Sequence, residues 1–236
     1  MTDKAGLDLT RRAFLRHGGA LFAVALTGSA ARLAQAAART EGPEVSPLED
    51  LMREHGLLSR NLLIYDEVRA RLLAGRDFPL EVLTGASGII RSFVEDYHEK
   101  LEEDYLFPRF EKAGKYADLV RVLLAQHRAG RRLTDFIRSR ATATGLADPA
   151  ARRRLAGRLR LFNRMYRPHK AREDTVLFPA LRSIVTPAEY DRLGDEFEDR
   201  ERALFGEGGF EKMVARTADL EKALGIYELS AFTVRV

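Results

Sequence analysis

At 236 residues, with 45% apolar and 31% charged side chains, the chain is long enough to bury a real core and too apolar for extensive disorder. It has no cysteine, which excludes disulfides, thiolate zinc sites and iron–sulfur ligation by this chain, so any metal must be held by His, Asp and Glu. The formal charge of +4 falls to about +1 without residues 1–38, and apart from clusters such as Arg152, Arg153 and Arg154 the arginines are interleaved with acids, so no nucleic-acid partner is expected.

In chain order the first element is an address. TRRAFLR at 10–16 precedes the apolar GGALFAVALTGSAA and then AQAAA, the charged, apolar and small-residue order of a signal peptide. The run from Gly18 to Ala31 is shorter than the roughly 20 residues of a spanning helix, so no permanent membrane anchor is expected. Arg11 and Arg12, followed by Phe14 and Leu15, resemble bacterial twin-arginine signals. That resemblance implies export of the folded chain by the twin-arginine machinery, cleavage near Ala36 to Ala38, and a periplasmic or otherwise exported product. His17 lies within residues 1–38 and is set aside.

Helices come next. RTEGPEVSP at 39–47 reads as a polar linker ending in a helix start, with Ser46 as cap, Pro47 in the first turn and Glu49 completing a capping box. A first helix is expected to run to about Ala74, where Gly75 stops it. A second covers about Leu80 to Lys112, weakened early by Gly85 and Gly88 and closed by Gly114. A third spans about Tyr116 to Arg140. After ATATGLADP, Asp148 and Pro149 open a fourth, running to about Ile184. Thr186, Pro187 and Glu189 repeat the capping-box chemistry before a shorter fifth helix, and a sixth covers about Phe210 to Leu224. Only AFTVRV at the terminus alternates like a strand, and a lone strand has no partner. The expected fold class is all-α: an up-down-up-down four-helix bundle over residues 48–184, with additional short C-terminal helices over residues 185–236.

Each long helix carries one histidine on its apolar stripe. In the first the stripe reads Leu51, His55, Leu58, Leu62, Tyr65; in the second, Ile90, Val94, His98 or Tyr97, Leu101 and Tyr105. His127 follows Val120 and Leu123 or Leu124 in the third, and His169 follows Leu159, Phe162 and Tyr166 in the fourth. Two of these histidines begin a repeated frame, HEKLEEDYLFP at 98–108 and HKAREDTVLFP at 169–179, in which Glu102 and Glu173 lie one helical turn beyond the imidazole. Residues four apart differ by about 40° around the axis and about 6 Å along it, so both can reach one ion. A single inward histidine is ordinarily a core residue. Four of them with two inward carboxylates, which are costly to bury unless paired or bound to metal, point to a metal centre of His55, His98, Glu102, His127, His169 and Glu173.

Ligand counting favours two ions over one tetrahedral zinc: two imidazoles each, plus one oxygen from each bridging glutamate, with an oxo or hydroxo bridge as fifth bond and one position open. Imidazole and carboxylate suit iron. A ferritin-like arrangement would need two ExxH motifs, and only Glu95 with His98 offers that spacing. In the repeated frame Pro108 and Pro179 are expected to bend or end their helices, with Phe107 and Phe178 packing beyond the site.

In its order H, HxxxE, H, HxxxE and in both LFP segments, the sequence resembles the hemerythrin-like HHE cation-binding family over roughly residues 48–184, and within it the repair-of-iron-centres branch. The resemblance implies a non-haem di-iron centre on those six residues and a small ligand such as oxygen, nitric oxide or peroxide. Two departures matter. Oxygen carriers of the family have a second histidine four residues after the one in the third helix, where this chain has Arg131, which puts reversible oxygen storage in doubt and favours reactivity. Classical members also take the last carboxylate from the position of Asp174; Glu173 is preferred here because five residues rotate a side chain by about 140°. Glu99 is a substitute or outer partner. The expectation is an exported di-iron protein that binds or reacts with a small ligand, with oxidoreductase activity on peroxide or nitric oxide open. Iron storage or donation for repair, ferroxidase activity, and a non-catalytic structural bundle are the alternatives.

Overall fold

The computed structural model describes residues 45–234; the expected address at 1–38 and most of the linker lie outside the described residues. Helix α1 is Pro47–Ala74, entered through Ser46, whose hydroxyl accepts from the Glu49 amide, and left through Gly75 at φ 65°. Helix α2 runs continuously over residues 80–112, and α3 is Ala117–Arg140. Helix α4 spans residues 149–181, starting where the Asp148 carboxylate accepts from the amides of Ala150 and Ala151. Helices α5, Pro187–Phe205, and α6, Gly209–Leu224, complete the chain; Thr186 and Glu189 form the full reciprocal capping box ahead of α5. The described residues contain no strand, and the alternating tail forms a 3₁₀ turn at Leu229–Phe232. The protein is all-α. Helix α1 packs along α4 and α3 packs against α4 and α2, while α6 lies across α1 and α2.

The early glycines of α2 are more than weak helix formers. A Cβ on Gly85 would stand 2.9 Å from a methyl of Leu220, so the bare backbone there is what lets α6 approach.

Apolar side chains fall into two clusters. Leu51, Leu101, Leu106, Phe107, Leu123, Leu177 and Phe178 belong to one, and Leu58, Leu62, Tyr65, Val94, Ile137, Phe162 and Tyr166 to the other. The four histidines occur in the chain between members of the two, as a polar layer inside the bundle. Each fully buried Leu or Phe contributes about 1.5–3 kcal/mol by leaving water. Clusters on both sides therefore offset a layer that would be costly alone.

Helices α2 and α4 are not uniformly α-helical. Each contains a π-turn that begins at its glutamate: Glu102–Leu106 in α2 and Glu173–Leu177 in α4. The amide of Phe107 donates to the Glu102 carbonyl and that of Phe178 to the Glu173 carbonyl, five residues back. A third π-helical stretch, Ile90–His98, precedes them in α2. In both frames a proline comes immediately after the phenylalanine. Pro108 and Pro179 lack an N–H and crowd the carbonyl four residues earlier, which the wider turn accommodates. The helices continue past these prolines, to Lys112 and to Leu181, rather than ending at them, because the ladder loosens by one residue ahead of each. The inserted residue turns the remainder of each helix by about 100° around its axis. Pro168 likewise sits inside an unbroken α4.

Candidate metal centre

The structure brings all six predicted side chains together, each at most 4% exposed. His55 and His98 approach through their Nε2 atoms at 3.0 Å, and His127 and His169 through theirs at 3.2 Å. Between the pairs lie the two glutamates. Glu102 sets Oε1 3.6 Å from His98 Nε2 and Oε2 3.4 Å from His127 Nε2. Glu173 sets Oε2 3.4 Å from His55 Nε2 and 3.2 Å from His169 Nε2.

The opposite nitrogens are held from outside the centre. His98 Nδ1 meets Glu54 at 2.7 Å, His127 Nδ1 meets Glu103 at 3.0 Å, His169 Nδ1 meets Gln126 at 2.8 Å, and His55 Nδ1 meets Asp174 at 2.6 Å. These contacts form a ring: α1 holds the imidazole of α2, α2 that of α3, α3 that of α4, and α4 that of α1. Carboxylate and amide oxygens only accept, so each Nδ1 carries the proton and each Nε2 presents a lone pair inward. Two lone pairs at 3.0 Å repel unless a cation lies between them.

Both oxygens of Glu102 and both of Glu173 are buried without a hydrogen-bond partner. Burial disfavours the charged form of two of the imidazoles, pushing His55 down and His127 to about 4. Burial and the charge of Glu173 push Glu102 well above the ordinary carboxylate range. Burial opposes ionisation of Glu173 too, and only imidazoles that have taken up a proton would favour its charged form. Without a cation the pair carries at most one charge; a divalent ion allows both.

Asp174 belongs to this outer ring, and Glu99 accepts from the Tyr166 hydroxyl at 2.6 Å and pairs with Arg131 at 2.8 Å. Arg131 also reaches Glu103 at 2.8 Å. Tyr166 thus does more than pack: its ring meets His169 edge-on at 5.3 Å and its hydroxyl sits in a notch over Gly130. Phe107 and Phe178, expected beyond the site, stack on His127 at 5.6 Å and on His55 at 5.4 Å, because the π-turns bring them onto the face of the preceding glutamates. Glu54, Glu103 and Gln126 were not anticipated. Each adjoins an inward residue in sequence, about 100° around the helix from it, where a side chain faces the neighbouring helix.

The ferritin-like pairing of Glu95 with His98 is not assembled, since Glu95 turns to the Thr134 hydroxyl and Arg91. Burial lifts Glu95 to about 7 against those partners. Between its ordinary 4.5 and 7 the folded chain binds the proton more tightly than the unfolded one, so stability falls as pH rises through that window. Glu95→Gln is expected to remove this slope, worth on the order of 3 kcal/mol. Urea unfolding of parent and variant at about pH 4.5 and about pH 7.5, on either side of that window, checks it, and parallel pH profiles would contradict it.

Fold and site together define a helical-bundle metal protein whose imidazoles and carboxylates come from four facing helices. The hemerythrin HHE cation-binding domain matches residues 46–181, with a second, overlapping match at 118–206 that begins with α3. The chain belongs to the hemerythrin HHE cation-binding family. Uncharacterized proteins of Mycobacterium tuberculosis and of Mycobacterium bovis are each 50% identical to it over 193 residues, which is 82% of this chain and 75% of the relative. No solved structure matches. Among the described residues no helix is long and apolar enough to cross a membrane.

Proposed function

We propose that the chain is an exported di-iron protein that binds or reacts with oxygen, nitric oxide or peroxide. The observation that supports this best is the set of four inward Nε2 lone pairs around two buried carboxylates whose oxygens have no hydrogen-bond donor. His55 and His98 would hold one ion and His127 and His169 the other, with Glu102 and Glu173 bridging. Two irons there would supply one-electron chemistry toward a small ligand.

The chain's own residues then do three things. The outer ring fixes each imidazole's tautomer and direction. The two apolar clusters and the stacked Phe107 and Phe178 keep water from the layer. The Tyr166 hydroxyl, donating to Glu99 Oε1 beside Arg131, holds a proton close to His169. Arg131, where the oxygen carriers have a histidine, supplies no lone pair, which favours reaction over reversible storage. The paired arginines at 11 and 12 support export.

Protein purified with its own metal is expected to contain about two irons per chain. Its charge-transfer absorption should change on titration with oxygen, nitric oxide or peroxide, and turnover separates an enzyme from a binding protein. A single zinc per chain, or iron that responds to none of the three, would overturn the reading.

A further inference from the structure

The two halves of the centre are related by an approximate two-fold that exchanges α1 and α2 with α3 and α4. The outer partners obey it in position but not in charge. Glu54 and Gln126, each one residue before a histidine, are equivalent, as are Glu103 and Asp174, each one residue after a glutamate. In the half built by His55 and His98, both Nδ1 atoms meet carboxylates, Asp174 at 2.6 Å and Glu54 at 2.7 Å. Carboxylates of Asp50 and Glu201 lie within 4.8 Å of that of Glu54.

In the other half, His169 meets the neutral amide of Gln126 at 2.8 Å. His127 meets Glu103 Oε1 at 3.0 Å, but that same oxygen takes Arg131 at 2.8 Å, and Glu103 Oε2 takes Lys100 at 3.0 Å. Two cations therefore draw on the charge that would otherwise reach the imidazole. The two-fold counterpart of Arg131 is Ser59, whose hydroxyl donates to the His55 carbonyl of its own helix. No comparable cation opposes Asp174 among the described residues.

An imidazole whose Nδ1–H is drawn toward a carboxylate donates more strongly at Nε2 than one held by an amide or by an acid whose oxygens are shared with cations, and the contrast is greatest between His55 on Asp174 and His169 on Gln126. Resting on the metal reading above, we propose that the two half-sites are unequal. The His55/His98 half binds its ion first and tightly, and the His127/His169 half holds the exchangeable ion. Glu54, Gln126 and Arg131 act here as positioning residues that set the difference.

Anaerobic calorimetric titration of the metal-stripped chain with ferrous iron tests this. Two steps are expected, about 10- to 100-fold apart in affinity, the range over which such outer partners tune metal sites. His98→Ala should remove the tight step, and His169→Ala the weak one. Gln126→Glu, at a partly exposed position, should tighten the weak step and narrow the gap, which a purely structural role of residue 126 would not do. Glu54→Gln should narrow it by loosening the tight step. Two equal steps in the parent chain, or a gap untouched by Gln126→Glu, would overturn the inequality while leaving the metal reading in place. Absence of any step in the parent would overturn the metal reading, and the inequality with it.

Discussion

Glutamine at both Glu102 and Glu173 is expected to abolish metal retention and to leave a metal-free bundle more stable than the metal-free parent. In the parent, four buried carboxylate oxygens have no hydrogen-bond donor, and the two side chains cannot both ionise without help. A bound cation offsets that penalty; in its absence folding must bear it. The amides keep the shape, remove the charge and bring N–H groups to Nε2 atoms that the carboxylates approach at 3.2 to 3.6 Å. Metal affinity should fall by more than about 100-fold, while urea unfolding of the stripped proteins at about pH 7 should favour the variant by on the order of 2 kcal/mol. Linkage supplies the complementary arm: a ligand at about 1,000 times its Kd stabilises the fold by about 4 kcal/mol. A chelator should accordingly lower the unfolding midpoint of the loaded parent and leave that of the double variant where it was. Retention of the parent's iron content by the variant would refute the assignment of the two bridging carboxylates.

The six inward residues were legible because an α-helix repeats every 3.6 residues. A histidine between Leu51 and Leu58, or between Val94 and Leu101, can only face the same way as its neighbours. The helix starts were legible for a local reason too: Ser46, Asp148 and Thr186 each precede a proline, and each side chain accepts from amides of the first turn. Composition and spacing could not reveal the π-turns at Glu102 and Glu173, since too few helical residues follow them, to Lys112 in α2 and to Leu181 in α4, for a changed period to show. With the turns hidden, the sequence puts Phe107 and Phe178 beyond the site they in fact border.

The outer ring was hidden for a different reason. Glu54, Glu103, Gln126 and Asp174 each serve a histidine on the next helix around the bundle, so no spacing within one helix announces the pairing. Their adjacency to inward residues was the available clue, and it identifies a seam position rather than a partner. Arg131 was visible as a departure from the family's oxygen carriers, but its reach to both Glu99 and Glu103 depends on how α2 and α3 pack.

Gly130 shows the limit most clearly, and an alanine there should be among the most damaging small substitutions in the chain. Within α3 a glycine ordinarily costs about 1 kcal/mol relative to alanine, so the exchange would look favourable from sequence. In the structure the added Cβ would stand 1.9 Å from the Tyr166 hydroxyl and 2.7 Å from the ring carbon bearing it. Tyr166 must then leave its notch, at about 1–3 kcal/mol for overpacking, and Glu99 loses its hydroxyl donor, at about 1–3 kcal/mol more. After the gain in helix propensity the expected net loss is roughly 3 kcal/mol in urea unfolding of the metal-free chain. Tyr166→Phe alone should lose roughly 1–2 kcal/mol, for the unsatisfied Glu99 oxygen. In the double variant the atom that clashes worst is already gone, and the Glu99 donor is lost only once. Its loss should therefore fall short of the summed single losses by about 1–3 kcal/mol. Because the Tyr166 ring borders His169, Gly130→Ala should also weaken iron binding in ferrous titration. Strict additivity of the two substitutions, with unchanged iron affinity in Gly130→Ala, would show that the notch does not position Tyr166 against the metal layer.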